Sequence, residues 1–365
     1  MRIGRITQTA WNRSVRRQLH TKRSECLYEL SPLENCSGIS AGGADAFVWA
    51  GGTVCGDSPD AGFYAVMHAA GELAARGVCP TGVSVTVLAS PEAEEDVFRD
   101  AAAAADEACA RIGAQVTAVH GEVLPAVSGI VVTADAAGAV EAAESADAAG
   151  AAGSVGNVSA AGRNSAAALS GVQNVQGKPG DGWEILLCGY AGLEGTLRIV
   201  DEAGEELGTR FVASFLEQTR ALSDQLVTPR QIAAAFPAGS SCPVVRHIGS
   251  GGVFAALWDL AEISGIGFEI DMRQIPLRQE TVEICEYYRL NPYQLTSAGS
   301  YLILTDHAAE VADALAGAGA RAVRLGTARA QNARVISSGE ETRYLDRPAP
   351  DELVRWLAER QSGSR

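Results

Sequence analysis

No apolar run in the 365 residues nears the length of about 20 that crosses a bilayer, so a membrane partner is not expected. No two of the eight cysteines form a CxxC pair, and their spacing is irregular. Reduced, buried thiols in a cytoplasmic protein are the expectation, rather than a metal or disulfide framework. Basic charge is scarce: 29 lysines and arginines stand against 44 acidic residues, a net charge of −15. That argues against nucleic acid as a partner, since Lys and Arg carry phosphate binding. Residues 134–177 hold no aromatic residue and are mostly Ala, Gly, Ser and small polar residues. Such a stretch buries too little to offset the entropy of ordering, so it reads as a flexible insertion.

What remains is rich in apolar residues, 47% of the chain, and long enough for two domains. The first basic residues, Arg2 to Arg23, include an amphipathic segment with Ile3, Ile6, Trp11, Val15 and Leu19. It lacks the apolar core of a signal peptide. The spacing then predicts a strand at 47–50, a helix at 61–76, a strand at 83–88, a helix at 92–112, and strands at 115–119 and 129–133. After the insertion, strands are expected at 185–187, 301–304 and 322–325, with helices at 211–226, 280–288, 307–317 and 351–359. This alternation implies an α/β or α+β layering with helices on sheets.

The organising stretch runs from Pro243 to Thr305. A turn with Gly249, Gly251 and Gly252 opens a helix whose apolar face is Val253, Leu257, Leu260 and Ile263. A helix that starts on a glycine turn aims unpaired N–H groups forward, which favours an anion. In order follow Ser264-Gly265-Ile266-Gly267, Ile275-Pro276 and Ser297-Ala298-Gly299-Ser300. Upstream stand Gly180-Asp181 and Gly192-Leu193-Glu194-Gly195-Thr196.

With His247, these blocks resemble the AIR synthase-related superfamily, and most of all its hydrogenase maturation factor HypE branch. The resemblance spans nearly the whole chain outside the insertion. It implies a two-domain fold: an N-terminal domain at 1–133, the insertion at 134–177, and a C-terminal α/β domain at 178–365. It also implies that the N-terminal sheets of two subunits pair into a homodimer. The family's activity is ATP-dependent phosphoryl activation of an amide or carbonyl oxygen, with magnesium held by aspartates.

Those aspartates are mostly replaced here. Asn35 stands in the place of one, in Leu33-Glu34-Asn35-Cys36, and Gly52 in that of another. Glu72 lengthens a third and is the one expected metal ligand. Ile248 follows His247 where the turn's aspartate is expected. His120 and Glu122 persist in a motif that has lost its two glycines. By resemblance, His247 and Glu122 are candidate catalytic groups. Asn35, Gly52, Glu72, His120, Gly192, Glu194, Gly195, Thr196, Gly251 and Gly252 are candidate contacts to ATP. Branch members that make the cyanide ligand end in a reacting cysteine, and this sequence ends Gly363-Ser364-Arg365, so that chemistry is not expected. Two functions follow: an ATP- and magnesium-dependent maturation enzyme, or a non-catalytic relative that has lost both and serves as a dimeric binding or assembly module. The partner is a small molecule or a maturation protein.

Overall fold

The computed structural model describes residues 3–27, 31–33, 35–42, 45–140, 179–236 and 242–363. Two sheets dominate it. The first has the order β1-β2-β5-β3-β4, with β1 Cys36–Gly42, β2 Asp45–Cys55, β3 Gly82–Ala89, β4 Gln115–Val123 and β5 Ile130–Val140. Only β3 and β4 run parallel. Following the basic helix α1 (Gln8–Ser14), two long helices, α2 (Ala61–Ala74) and α3 (Asp96–Ile112), cover one face of this sheet.

The alternation in β2 places small residues inward and aromatic ones outward. Ala46, Val48 and Ala50 are buried, while Phe47 is 53% exposed and Trp49 37%. Ile39 of β1 pairs with Phe47 in register and is equally open to solvent. Small inward residues follow from how closely α2 approaches. At Gly52 an added Cβ would lie 2.5 Å from the Ala65 carbonyl oxygen and 2.7 Å from the Ala69 nitrogen.

The same closeness corrects the expected start of the insertion. Strand β5 continues through residues 134–140, with Ala134 and Ala136 fully buried. Their alanine and glycine content reflects tight backbone packing rather than low order: a Cβ at Gly138 would lie 2.6 Å from the Cys79 carbonyl. The remainder, 141–177, lies outside the described residues.

The second sheet has the order β12-β11-β8-β10-β6-β9-β7. Its centre is β6 (Glu184–Cys188), β9 (Tyr301–Thr305) and β10 (Ala322–Arg329), flanked by β8 (Gly267–Asp271) and β7 (Val244–His247). The hairpin β11 (Arg334–Ser338) and β12 (Glu341–Tyr344) closes one edge. Strands β6 and β9 are continuous apolar runs because both faces are covered. The longer helices are α4 (Leu193–Gly208), α5 (Ala213–Ala221), α6 (Gly252–Ser264), α7 (Gln279–Tyr288), α8 (Ala308–Gly317) and α9 (Glu352–Gly363). Leu193 and Leu197 of α4 belong to the same apolar cluster as α2, so the two domains share a core.

Candidate functional site

Where α2 meets the second sheet, polar side chains converge in a region with almost no solvent access. From α2 come His68 and Glu72, one turn apart and therefore on one face. From the second domain come Glu194 and Arg198 of α4, again one turn apart, with Arg246 and His247 of β7. Glu194 and the His247 side chain are fully buried.

Glu194 accepts from His68 Nε2 at 3.0 Å, the Thr296 hydroxyl at 2.7 Å, the Ala298 N–H at 2.8 Å and Arg198 at 3.3 Å. Burial alone would push its carboxyl up. The His68 and Arg198 charges and these bonds outweigh that and hold it well below the ordinary carboxylate value. Burial likewise opposes charge on His68, but Glu194 raises it above its usual value. Glu194 thus favours the charged form of the His68 imidazole.

The second pair runs the other way. Glu72 Oε1 of the first domain lies 3.3 Å from His247 Nδ1 of the second. A carboxylate only accepts, so Nδ1 carries the proton. Burial lowers His247 and keeps it neutral. Burial also disfavours charge on Glu72, yet Arg246 and His247 overcome it and hold the carboxyl at about 2. His247 Nε2 is left buried without a hydrogen-bond partner. The ring fits only because residue 71 is glycine: a Cβ there would lie 2.5 Å from Nε2. The two histidine rings meet edge to face at 5.6 Å. Arg246 then bonds to Asp259 of α6, which also receives Arg5 at 2.7 Å.

The glycine turn is already engaged. The Gly251 N–H donates to Asp351 Oδ2 at 2.5 Å, and the Leu353 N–H donates to Asp351 Oδ1 at 2.8 Å. One carboxylate thus caps both α6 and α9. Burial pushes its pKa up to about 6, against those two donors. At the other motif, Gly192 N–H donates to the Ser297 hydroxyl and Gly195 N–H to the Thr296 carbonyl. The Thr196 hydroxyl is bonded to Gly192 and Thr281.

Residues 180–337 match the family model "AIR synthase related protein, C-terminal domain". The carbamoyl dehydratase HypE of Rhodobacter capsulatus is 32% identical over 99 residues, 27% of this chain and 29% of that protein. The aligned stretch thus spans under a third of that relative's length. A HypE–HypF complex superimposes with a TM-score of 0.62 at 16% identity, covering 87% of this chain and 94% of that one. A HypE structure in complex with ATP gives 0.59 at 15% identity, covering 87% and 88%. Residues 180–337 are thus similar to the C-terminal domain of AIR synthase-related proteins, and the chain as a whole resembles the HypE structures in fold. At these identities the likeness to the solved structures is one of fold.

Within this fold, the candidate residues divide. Glu72, Glu194 and His247 come together, with Gly192, Gly195 and Thr196 immediately around Glu194. Asn35 is exposed at the start of β1. Gly52 is sealed beneath α2. His120 and Glu122 sit on edge strand β4, 3.7 Å apart and more than half exposed, away from the buried pairs. A single strand puts residues two apart on one face, here the solvent face. His68, Arg198 and Arg246 were missed in the sequence. The i, i+4 spacing of His68 to Glu72 and of Glu194 to Arg198 was the available signal.

Proposed function

We propose that this protein is a non-catalytic HypE-like module, a homodimer that binds a maturation partner protein. One observation carries the reading: both carboxylates near the expected nucleotide site are already paired with histidines across the domain boundary. The residues in the magnesium places do not fit the ion. Glu72 is bound to His247, Asn35 is exposed, Gly52 has no room for a side chain, and Ile248 is fully buried. Among the described residues, no group of three or more His, Cys, Asp or Glu side chains could hold a metal. Magnesium needs hard oxygen ligands in near-octahedral array. The turn N–H that would face an anion is held by Asp351.

The outward Ile39, Phe47 and Trp49 support pairing through the first sheet, since exposed apolar side chains of this kind gather at interfaces. Partner binding is suggested by the HypE–HypF complex of the same fold. Calorimetric titration with ATP, with and without magnesium, tests the reading. Binding should be weak and unchanged by magnesium, with hydrolysis indistinguishable from buffer.

A second reading, ATP-dependent phosphoryl activation of an amide or carbonyl oxygen, is favoured by the HypE structure that holds ATP. Tight, magnesium-dependent ATP binding would select it.

A further inference from the structure

Seven of the 29 basic residues lie in the first 23 positions, with no acidic residue among them. The rest of the chain carries 22 basic and 44 acidic residues. The basic segment is helical at Gln8–Ser14 and forms a 3-10 turn at Arg16–Gln18, yet neither buries a residue. Thr7 caps the helix through the Ala10 N–H, so the sequence specifies it. An isolated helix below about 12 residues is marginal in water. This one has one side with Trp11 and Val15 and another with Arg13, Arg16 and Arg17. Ile6 and Leu19 flank it, 39% and 48% exposed. Its base is tied down by Arg5 on Asp259 and on the Pro32 carbonyl.

The chain also carries the complementary surface. A cavity of about 680 Å³ opens between α4 and α5, edged by α9. Asp201, Glu202, Glu205, Glu206 and Glu217 line it, over Leu216. Two guanidiniums share it: Arg360 holds Glu206 at 2.7 Å, and Arg220 approaches Asp201 at 3.8 Å. Burial favours the protonated forms of Asp201 and Glu202, but the exposed Glu205, Glu206 and Glu217 still outnumber the two guanidiniums, so the rim is negative. The cavity's apolar floor and acidic rim match the segment's two sides.

We propose that residues 6–19 dock into the α4–α5 cavity of a second copy of this chain, with Trp11 on the apolar floor and Arg13, Arg16 and Arg17 on the acidic rim. The charge balance selects this occupant. A body bearing twice as many acidic as basic residues is repelled from anionic bilayers and nucleic acids. An acidic protein surface is the remaining match, and this chain supplies one at its own concentration. Exchange of two segments closes the assembly about a two-fold axis. The contact is separate from the outer face of the first sheet, so it does not depend on the pairing proposed above.

The test is a charge swap in the full chain, read by sedimentation equilibrium. Arg13→Glu/Arg16→Glu/Arg17→Glu and, separately, Glu205→Lys/Glu217→Lys should each weaken the segment-dependent association roughly tenfold or more at low salt, while an equimolar mixture of the two regains it. Trp11→Ala, which alters no charge, should weaken it as well. The substituted arginines and glutamates are exposed and Trp11 is half-buried, and thermal melts verify that each variant folds. A mixture that associates no better than either variant alone overturns the proposal. So does wild-type-like association of the arginine variant, and so does a segment whose only measurable effect is on binding to phosphatidylserine vesicles.

Discussion

His68 Nε2 lies 3.0 Å from Glu194 Oε1, and the contact joins one domain to the other. Its counterpart, Glu72 with His247, reverses the roles, so each domain gives one imidazole and one carboxylate. The two pairs differ in charge state. Glu194 shifts His68 towards its charged form, whereas burial shifts His247 towards its neutral form. Fixed partners on both sides make this a clasp between domains.

The His68 pair has a signed pH signature. Its folded pKa lies above the ordinary histidine value, so its stabilisation is fully present below pH 6.5 and is lost as pH rises through the folded value. His68→Gln keeps a donor but no charge. It should cost about 1–3 kcal/mol near pH 6, and the deficit should shrink at pH 9. Urea unfolding at the two pH values measures it. An equal deficit at both would show that the pair is not ionic.

Asp201 titrates in the opposite sense. It sits between the Ser58 and Tyr64 hydroxyls, each at 3.4 Å, with Asp60 nearby and Arg220 at 3.8 Å. Burial, followed by the Asp60 charge, pushes its pKa up to about 7. The folded state therefore binds this proton more tightly than the unfolded chain, and the group destabilises as pH rises from about 4 to 7. Asp201→Asn keeps an acceptor for both hydroxyls. It should raise stability at pH 8 on the order of 1–3 kcal/mol and do little at pH 4. A loss of stability at pH 8 would show that the charge on Asp201 is needed.

Much of the second domain was legible because its signals are local. The glycine turn at 249–252, the stop at Gly265 and the apolar run at Tyr301 each act within a few residues, and helix α6 and strand β9 fall where the pattern puts them. The expected helix at 211–226 ends earlier, at Ala221, and continues as a 3-10 turn. What stayed hidden depends on neighbours far along the chain. Residues 134–140 looked like filler because alanine and glycine carry no strand signal, yet α2 demands small side chains there. His68 gave no hint of Glu194, 126 residues away. The turn at Gly251 reads as an open anion site until Asp351, 100 residues later, is seen to occupy it.

The outward aromatic residues give a test of assembly. Phe47 and Trp49 share the solvent face of β2 and contribute little to the monomer core. Phe47→Glu/Trp49→Glu should leave the thermal midpoint of the isolated subunit within about 4 °C, since exposed substitutions change stability by roughly 0.5 kcal/mol or less. Combined with Arg13→Glu/Arg16→Glu/Arg17→Glu, which removes the separate segment contact, it should leave only monomer in sedimentation velocity. A variant that stays dimeric would move the interface away from this face.

Gly52 decides whether a magnesium site can be rebuilt. The family's aspartate place falls on a strand residue whose Cβ direction is filled by α2 backbone, at 2.5 Å from the Ala65 carbonyl and 2.7 Å from the Ala69 nitrogen. Backbone cannot swing aside as a side chain would, so α2 must shift bodily. Overpacking costs about 1–3 kcal/mol in a compliant core, and a buried carboxylate against a carbonyl oxygen adds repulsion. Gly52→Asp should therefore cost more than about 3 kcal/mol and weaken the His68 and Glu72 contacts carried by the same helix. Asn35→Asp, on an exposed residue, should be nearly neutral in stability. Combining the two should create no magnesium-dependent ATP binding, because the first change disrupts the helix that the site would need. A stable double variant that binds ATP with magnesium would show that α2 can yield and that this fold admits a magnesium site.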